Sequence, residues 1–253
     1  MIWFVGAGSG AIDLITIRGE RLLREADCII YAGSLVNPDL LALAKTGAQL
    51  LDSAVMTLEE VVDAMFAAEK KGETTVRLHT GDPCLYGAIR EQMDRLSAAG
   101  VAFEVVPGVS SFCAAAAAIP AEYTLPGVSQ SLIITRMAGR TPVPDKEEIS
   151  LLAAHGSSMV VFLSAGMLDE LQTRLLAGAY TKDTPAAIVY KASWPEERVF
   201  RCSVGTLAET GKKNAVSKTA LVLVGDFLEG PYERSKLYDP GFSTGYRKGD
   251  DAD

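Results

Sequence analysis

The stretch Phe4-Val5-Gly6-Ala7-Gly8-Ser9-Gly10-Ala11 decides the fold class, because an apolar run feeds straight into a glycine loop. Ile2 to Val5 reads as a strand, and Gly6, Gly8 and Ala11 satisfy the relaxed GxGxxA form of the dinucleotide fingerprint. Glycine in such a loop either turns the chain tightly or lets a ligand approach the backbone, and the loop alone leaves both readings open. The nicotinamide reading, an NAD-dependent dehydrogenase, needs an acidic residue about 20 positions on, at the end of the second strand. Asp27 has that spacing but precedes the strand. The strand itself ends in Tyr31-Ala32-Gly33-Ser34, which carries no carboxylate.

Outward from the loop, short apolar runs alternate with helical patterns. Cys28 to Tyr31, Gln49 to Leu51, Thr74 to His79 and Phe103 to Val106 read as further strands, on β-branched content and Gly, Pro or Asp punctuation. Pro38 follows Asn37 as a first helical residue follows its cap, Thr57 and Glu60 form a capping box, and Gly72 and Gly100 close helices. Strict alternation of strand and helix implies a mostly parallel sheet covered on both faces. The segment 119–127, with Pro120, Pro126 and Gly127, breaks the alternation and reads as a linker after a first domain of residues 1–118. A second domain, 128–235, has strands at Ser131 to Thr135, Met159 to Leu163, Ala187 to Tyr190, Val199 to Ser203 and Ala220 to Val224. Its helices fall around Glu147 to Ala154, Leu168 to Ala177 and Leu207 to Lys212. The turn near Trp194-Pro195 is too short for a parallel crossover, so a mixed sheet is expected. The tail 236–253 has no apolar period and reads as extended or disordered at its end.

At 253 residues with 48% hydrophobic and 22% charged side chains, the chain is long enough to bury real cores. A formal charge of -8 argues against a broad nucleic-acid surface, though a local basic cleft still admits an acidic small molecule. No stretch approaches the roughly 18 uncharged apolar residues that span a bilayer, and the opening residues lack a basic signal region, so a cytoplasmic location is expected. Cys28, Cys84, Cys113 and Cys202 are scattered, with only His79 and His155 to supplement them, so neither a metal cage nor a disulfide framework is expected.

Two further loops end strands: His79-Thr80-Gly81-Asp82-Pro83 and Val106-Pro107-Gly108-Val109-Ser110-Ser111. Three small-residue loops at the carboxyl ends of parallel strands mark the edge where open α/β sheets bind ligands. Asp82 serves either a ligand or as the cap of a helix through Tyr86 and Arg90, and Ser110 or Ser111 either a ligand or the alanine-rich helix next in the chain. A regulatory module that senses a nucleotide without chemistry would use the same loops, but would have no need of a second domain.

Together, Phe4 to Gly10 with Asp13-Leu14-Ile15-Thr16, the Thr80-Gly81-Asp82-Pro83 loop and Val106 to Ser111 resemble the tetrapyrrole methylase family. Tyr31-Ala32-Gly33-Ser34-Leu35-Val36, Gln130 to Arg136, Lys191-Ala192-Ser193-Trp194-Pro195-Glu196 and Lys218-Thr219-Ala220-Leu221 resemble the branch of that family that methylates C11 in the cobalamin pathway. The likeness runs to about Tyr246. It implies two α/β domains with a cleft between them, not the usual Rossmann methyltransferase, and a homodimer. It also implies S-adenosyl-L-methionine as cofactor and methyl transfer to C11 of precorrin-4 or cobalt-precorrin-4, a polycarboxylate tetrapyrrole, any cobalt arriving with the substrate. A sister methylase acting on another ring carbon is the alternative. Carried over by motif, the cofactor contacts are Ser9, Gly81, Asp82, Leu85, Ser110, Ser111, Ser164, Ala192, Thr219 and Ala220. The family's first loop usually reads Gly-Pro-Gly, and Ser9 in place of that proline is expected to loosen the turn.

The substrate's carboxylates call for cations, and Arg136, Arg140 and Lys191 stand beside motifs, with Arg18, Arg77 and Arg90 as further candidates. Each reads equally as a solvated surface charge. Trp194 reads either as a wall of the substrate trough or as packing. No Ser-His-Asp or GxSxG pattern exists, and no catalytic base is assigned. Methyl transfer is an in-line displacement that demands positioning above all.

Overall fold

The computed structural model describes residues 1–249 and divides the chain into two compact units. The sequence expectation for the tail therefore lies in part, at 250–253, outside the described residues.

In the first unit, β1 (Ile2–Gly6), β2 (Cys28–Tyr31), β3 (Gln49–Asp52), β4 (Thr75–His79) and β5 (Phe103–Val106) form one sheet in the order β3-β2-β4-β1-β5. Every pairing is parallel, as the alternation with helices requires. The helices are α1 (Ile17–Glu25), α2 (Leu58–Lys70), α3 (Arg90–Ala98) and α4 (Ser111–Ala118). Side chains of a strand alternate between faces, so each face carries its own core. Val5, Ile29, Val76 and Leu78 pack with Leu22 and Leu23 of α1. Ile2, Phe4, Cys28 and Ile30 pack with Val61 and Met65 of α2 and Leu96 of α3.

Local signals act as their chemistry dictates. Thr57 and Glu60 close the capping box at the head of α2, and Gly72 and Gly100, at φ of 72° and 68°, end α2 and α3 in the left-handed region. Two expectations change. Asn37 does cap the segment that begins at Pro38, accepting the Asp39 N–H at 3.0 Å, but Pro38–Leu43 winds as a tighter 3-10 helix. No helix runs from Asp82 through Tyr86, because Tyr86 and Ala88 sit at φ of 57° and 49°, outside helical space, and α3 begins only at Arg90.

The second unit holds β6 (Leu132–Arg136), β7 (Ser158–Phe162), β8 (Pro185–Tyr190), β9 (Arg198–Ser203) and β10 (Ala220–Val224), in the order β6-β7-β10-β8-β9. β6 and β7 are parallel, and β10 runs antiparallel to both β7 and β8, so the sheet is mixed as the tight turn near Pro195 anticipated. Around it lie α5 (Ile149–Ala153), α6 (Leu168–Leu176) and α7 (Leu207–Lys213), with Met159, Val161, Leu171, Leu175, Ile188 and Val222 in the core.

The boundaries carry two findings. Residues 119–127 make contacts of their own: Ser158 Oγ donates to the Tyr123 carbonyl at 2.6 Å, an Arg201 Nη donates to the Ile119 carbonyl at 3.1 Å, and the Tyr123 and Phe227 rings lie 5.0 Å apart. These are contacts within the second unit. Lys191–Arg198, which the sequence division placed in the second domain, groups with the first unit instead. None of the described helices is long and apolar enough to cross a membrane.

The core position of Leu171 gives a direct test of the second unit. Leu171→Ala should cost about 2 to 5 kcal/mol in urea denaturation monitored by far-ultraviolet circular dichroism, whereas Leu151→Ala, at an exposed site on α5, should stay within about 0.5 kcal/mol of the parent.

Candidate functional site

The three loops at the carboxyl ends of β1, β4 and β5 are locked together by backbone. The Gly8 N–H donates to the Gly81 carbonyl at 3.2 Å, the Gly81 N–H returns to the Gly8 carbonyl at 2.8 Å, and the Ala7 N–H donates to the His79 carbonyl at 2.7 Å. Side chains have no room here. A Cβ on Gly6 would stand 2.6 Å from both Gly108 Cα and the Gly81 oxygen, and one on Gly108 would stand 2.1 Å from that same oxygen. Gly8 and Gly81 further sit at φ of 79° and 64°, a region that costs other residues energy.

Asp82 ties the second loop to the third. Its Oδ1 accepts the Cys84 N–H at 2.8 Å and its Oδ2 accepts the Gly108 N–H at 2.9 Å. Burial by itself would raise the carboxyl pKa, but the bonds from Cys84 and Gly108 outweigh it and hold the group below its ordinary value. Asp82 is thus a charged clamp on backbone amides. Leu85, whose N–H donates to the Asp82 carbonyl at 3.3 Å, stands in the same compact turn. Ser110 is buried, and Ser111 opens α4.

Beneath the loops, His79 is buried against Phe4, with ring centroids 6.1 Å apart. Desolvation, and then the nearby Arg77 charge, push its pKa down to about 3, so the ring is neutral. Arg77 is also buried, donating to Gln92 Oε1 and to the Ile30 carbonyl, both at 3.2 Å, and burial lowers its pKa to about 10. This sequence candidate for carboxylate binding lies inside the domain. Thr80 Oγ1 is buried with no hydrogen-bond partner among the described residues.

The first loop meets a segment far away in sequence. Ser9 Oγ lies 2.8 Å from Ser193 Oγ, the Ala11 N–H donates to Ser193 Oγ at 3.1 Å, and Trp194 Nε1 donates to the Ser9 carbonyl at 3.0 Å. Ser9 therefore does not loosen the turn as expected; its hydroxyl and carbonyl are both tied down. Ala192 is buried in this segment, and Lys191 Nζ sits 5.2 Å over the Trp194 ring and 3.2 Å from Glu196. Of the sequence's two readings of Trp194, the structure shows packing on the first loop.

In the second unit, strand register collects a different set. Arg136 pairs with Phe162, and Tyr190 pairs with Ala220, so the carboxyl ends of β6, β7 and β8 and the start of β10 share one sheet edge. Ser164 stands there, buried, accepting the Met137 N–H at 3.0 Å and donating to the Phe162 carbonyl at 2.7 Å. Thr219 adopts φ 53° and Leu163 φ 52°. Left-handed residues other than glycine cost on the order of 1–3 kcal/mol each and gather at functional sites. Lys191 and Ser193, at 48° and 67°, are two more. The motifs include Lys191, Ser193 and Thr219 themselves and a neighbour of Leu163, but the strain is announced by no residue type.

Arg136 spends its guanidinium on the carbonyls of Met137, Thr141 and Pro142, bracing its own loop. Arg90 pairs with Asp94 at 2.8 Å, while Arg18 and Arg140 are exposed. No cluster of His, Cys, Asp and Glu able to hold a metal occurs among the described residues.

The first unit carries an all-parallel sheet ending in three glycine loops, the edge at which open α/β sheets bind ligands, and the second carries a mixed sheet of its own, which makes the chain a two-unit α/β protein. Residues 1–208 match the family of tetrapyrrole (corrin/porphyrin) methylases. The chain is 51% identical to the cobalt-precorrin-4 C(11)-methyltransferase of Methanocaldococcus jannaschii, over 96% of this chain and 95% of that protein. A crystal structure of a cobalt precorrin-4 methyltransferase superposes with a TM-score of 0.89 at 44% identity, covering 90% of this chain and 96% of that one. The uroporphyrin-III C-methyltransferase of Thermus thermophilus, solved with S-adenosylhomocysteine, superposes with a TM-score of 0.75 at 27% identity, over 90% and 93%. The chain belongs to the tetrapyrrole methylases. It is an enzyme of the methyltransferase class.

The loop clamp generates two predictions. Gly108→Ala, which forces a Cβ into the Gly81 carbonyl, should lower the melting temperature and abolish ligand binding by the folded fraction, read by calorimetry. Because the Asp82 pKa is lowered on folding, its contribution is present above the usual carboxylate value of about 4 and is lost as pH falls through the lower folded value. Asp82→Asn should flatten that part of the acid limb in a stability profile between pH 5 and 2.

Proposed function

We propose that this enzyme methylates C11 of precorrin-4 or of its cobalt form, in corrin ring synthesis, with S-adenosylmethionine as methyl donor. The observation that carries the reading is the lock of the three glycine loops, taken with the high identity to a C(11)-methyltransferase over nearly the whole chain.

The residues present fit such a cofactor. Backbones packed too closely for side chains form a cradle, and the partnerless Thr80 hydroxyl beside Gly81 is a buried polar atom that a ligand would satisfy. The residues proposed to hold the cofactor are Ser9, Gly81, Asp82, Leu85, Ser110, Ser111 and Ala192 of the first unit; the family motifs separately propose Ser164, Thr219 and Ala220, which lie on the second unit's own sheet edge. Of these, Asp82 acts by fixing the loops, since both its oxygens are engaged by backbone amides. The bound sulfonium supplies an electrophilic methyl group.

The protein's part is chiefly alignment. His79 is neutral and buried, Asp82 is committed to its amides, and no nucleophile with a partnered base stands at the loops among the described residues, so positioning carries the rate. Arg140 and Arg18, both exposed, are proposed to meet substrate carboxylates, with Lys191 held nearer the first loop by Trp194. Arg136 contributes by shaping the 137–142 loop. A homodimer in the cytoplasm completes the reading, and sedimentation velocity measures the assembly.

To test the reaction, the protein is incubated with carbon-13 methyl-labelled S-adenosylmethionine and either precorrin-4 or its cobalt form, and the product is mapped by carbon NMR. Label at C11 supports the assignment. Label at another ring carbon would make this a sister methylase, and tight binding of NAD without the sulfonium would overturn the cofactor.

A further inference from the structure

The contact between the first glycine loop and residues 191–198 has more order than packing alone demands. Ser193 Oγ is a junction, taking the Ala11 N–H at 3.1 Å while sharing a hydrogen bond with Ser9 Oγ at 2.8 Å. The junction is itself held. The Ser193 N–H donates to Glu197 Oε2 at 2.6 Å, the Trp194 N–H to the Lys191 carbonyl at 2.9 Å, and the Glu197 N–H to the Trp194 carbonyl at 3.0 Å. Trp194 then pins the loop a second time through Nε1 and the Ser9 carbonyl. Its ring fills the place where a Cβ on Gly10 would fall, 2.1 Å from Cδ1. From elsewhere in the unit, Asn37 Nδ2 donates to the Gly10 carbonyl at 2.8 Å. Ser9, Gly10 and Ala11 are thus fixed in succession by residues 27 to 185 positions away.

Ser193 occupies φ 67°, where glycine would sit without steric cost. A serine there accepts backbone strain and returns a hydroxyl, and the two bonds of that hydroxyl both go to the first loop.

We propose that Ser193 is the positioning residue of the first glycine loop, its hydroxyl presetting the Ser9–Ala11 turn for the adenosyl ligand. This rests on the cofactor reading under the proposed function. A turn already ordered need not be ordered on binding, so the hydroxyl acts on affinity and leaves the chemical step alone.

The test uses the full chain and S-adenosylhomocysteine as probe, with Kd from isothermal titration calorimetry. Ser193→Gly removes the hydroxyl while relieving the backbone, and Ser193→Ala removes it without that relief. Both should weaken binding about 5- to 20-fold, the range expected for losing one or two hydrogen bonds. They should also speed hydrogen exchange at the Ala11 amide and leave kcat at saturating cofactor within about twofold. Ser9→Ala added to Ser193→Gly should weaken binding less than the product of the single effects, since both remove one shared bond. An unchanged Kd and unchanged Ala11 exchange in folded Ser193→Gly, with the parent binding normally, would overturn the role of Ser193 alone. A parent protein that fails to bind the probe would instead overturn the adenosyl reading, and with it the ligand half of this inference.

Discussion

The close approach of three backbones at Gly6, Gly81 and Gly108 is the constraint on which the first unit depends. β1 lies between β4 and β5, and the chain leaves all three strands at one edge. There the loops touch through carbonyls and Cα atoms at separations that no Cβ tolerates. The paired bonds between Gly8 and Gly81 extend the contact past the end of the sheet. Asp82 then clamps the third loop, and the local structure explains why its carboxylate stays charged despite partial burial.

Charge is distributed to support this arrangement. Arg77 and His79 lie on the same strand two positions apart and share its α2–α3 face, where one is charged and the other driven neutral by burial and by its neighbour. The Arg77 guanidinium is satisfied by Gln92 and a strand carbonyl rather than a carboxylate. Arg77 is thus tied to its surroundings inside the unit, while the neutral His79 ring keeps a buried Nε2 without a partner among the described residues. The chemistry left to such a site is alignment, which is what methyl transfer from a sulfonium needs.

Most of the architecture was legible because it is written in local periodicity. The ten strands among the described residues, the capping box at Thr57 and the closing glycines at 72 and 100 all arise from residue type and spacing. What misled was local reading of groups whose partners are distant. Asp82, read either as a ligand contact or as a helix cap, clamps two loops; Ser9, expected to loosen its turn, is tied by Ser193 and Trp194; Arg77, read either as a carboxylate-binding cation or as a solvated surface charge, is buried. Segment 119–127, read as a linker from its prolines, begins at the boundary of the second unit and makes bonds to Ser158 and Arg201 that residue type does not announce.

By itself the sequence determined the alternation of elements, the three small-residue loops and the family, because glycine patterns and apolar periods act over a few residues and survive without a partner. Only the tertiary structure decided that residues 191–198 return to the first unit and that the Ser193 hydroxyl meets the first loop. Those contacts join positions more than 180 residues apart, and no propensity within either segment encodes the other. The same holds for the left-handed turns at Leu163, Lys191, Ser193 and Thr219. Their strain is supported by the surrounding fold, so it becomes visible only once that fold is formed.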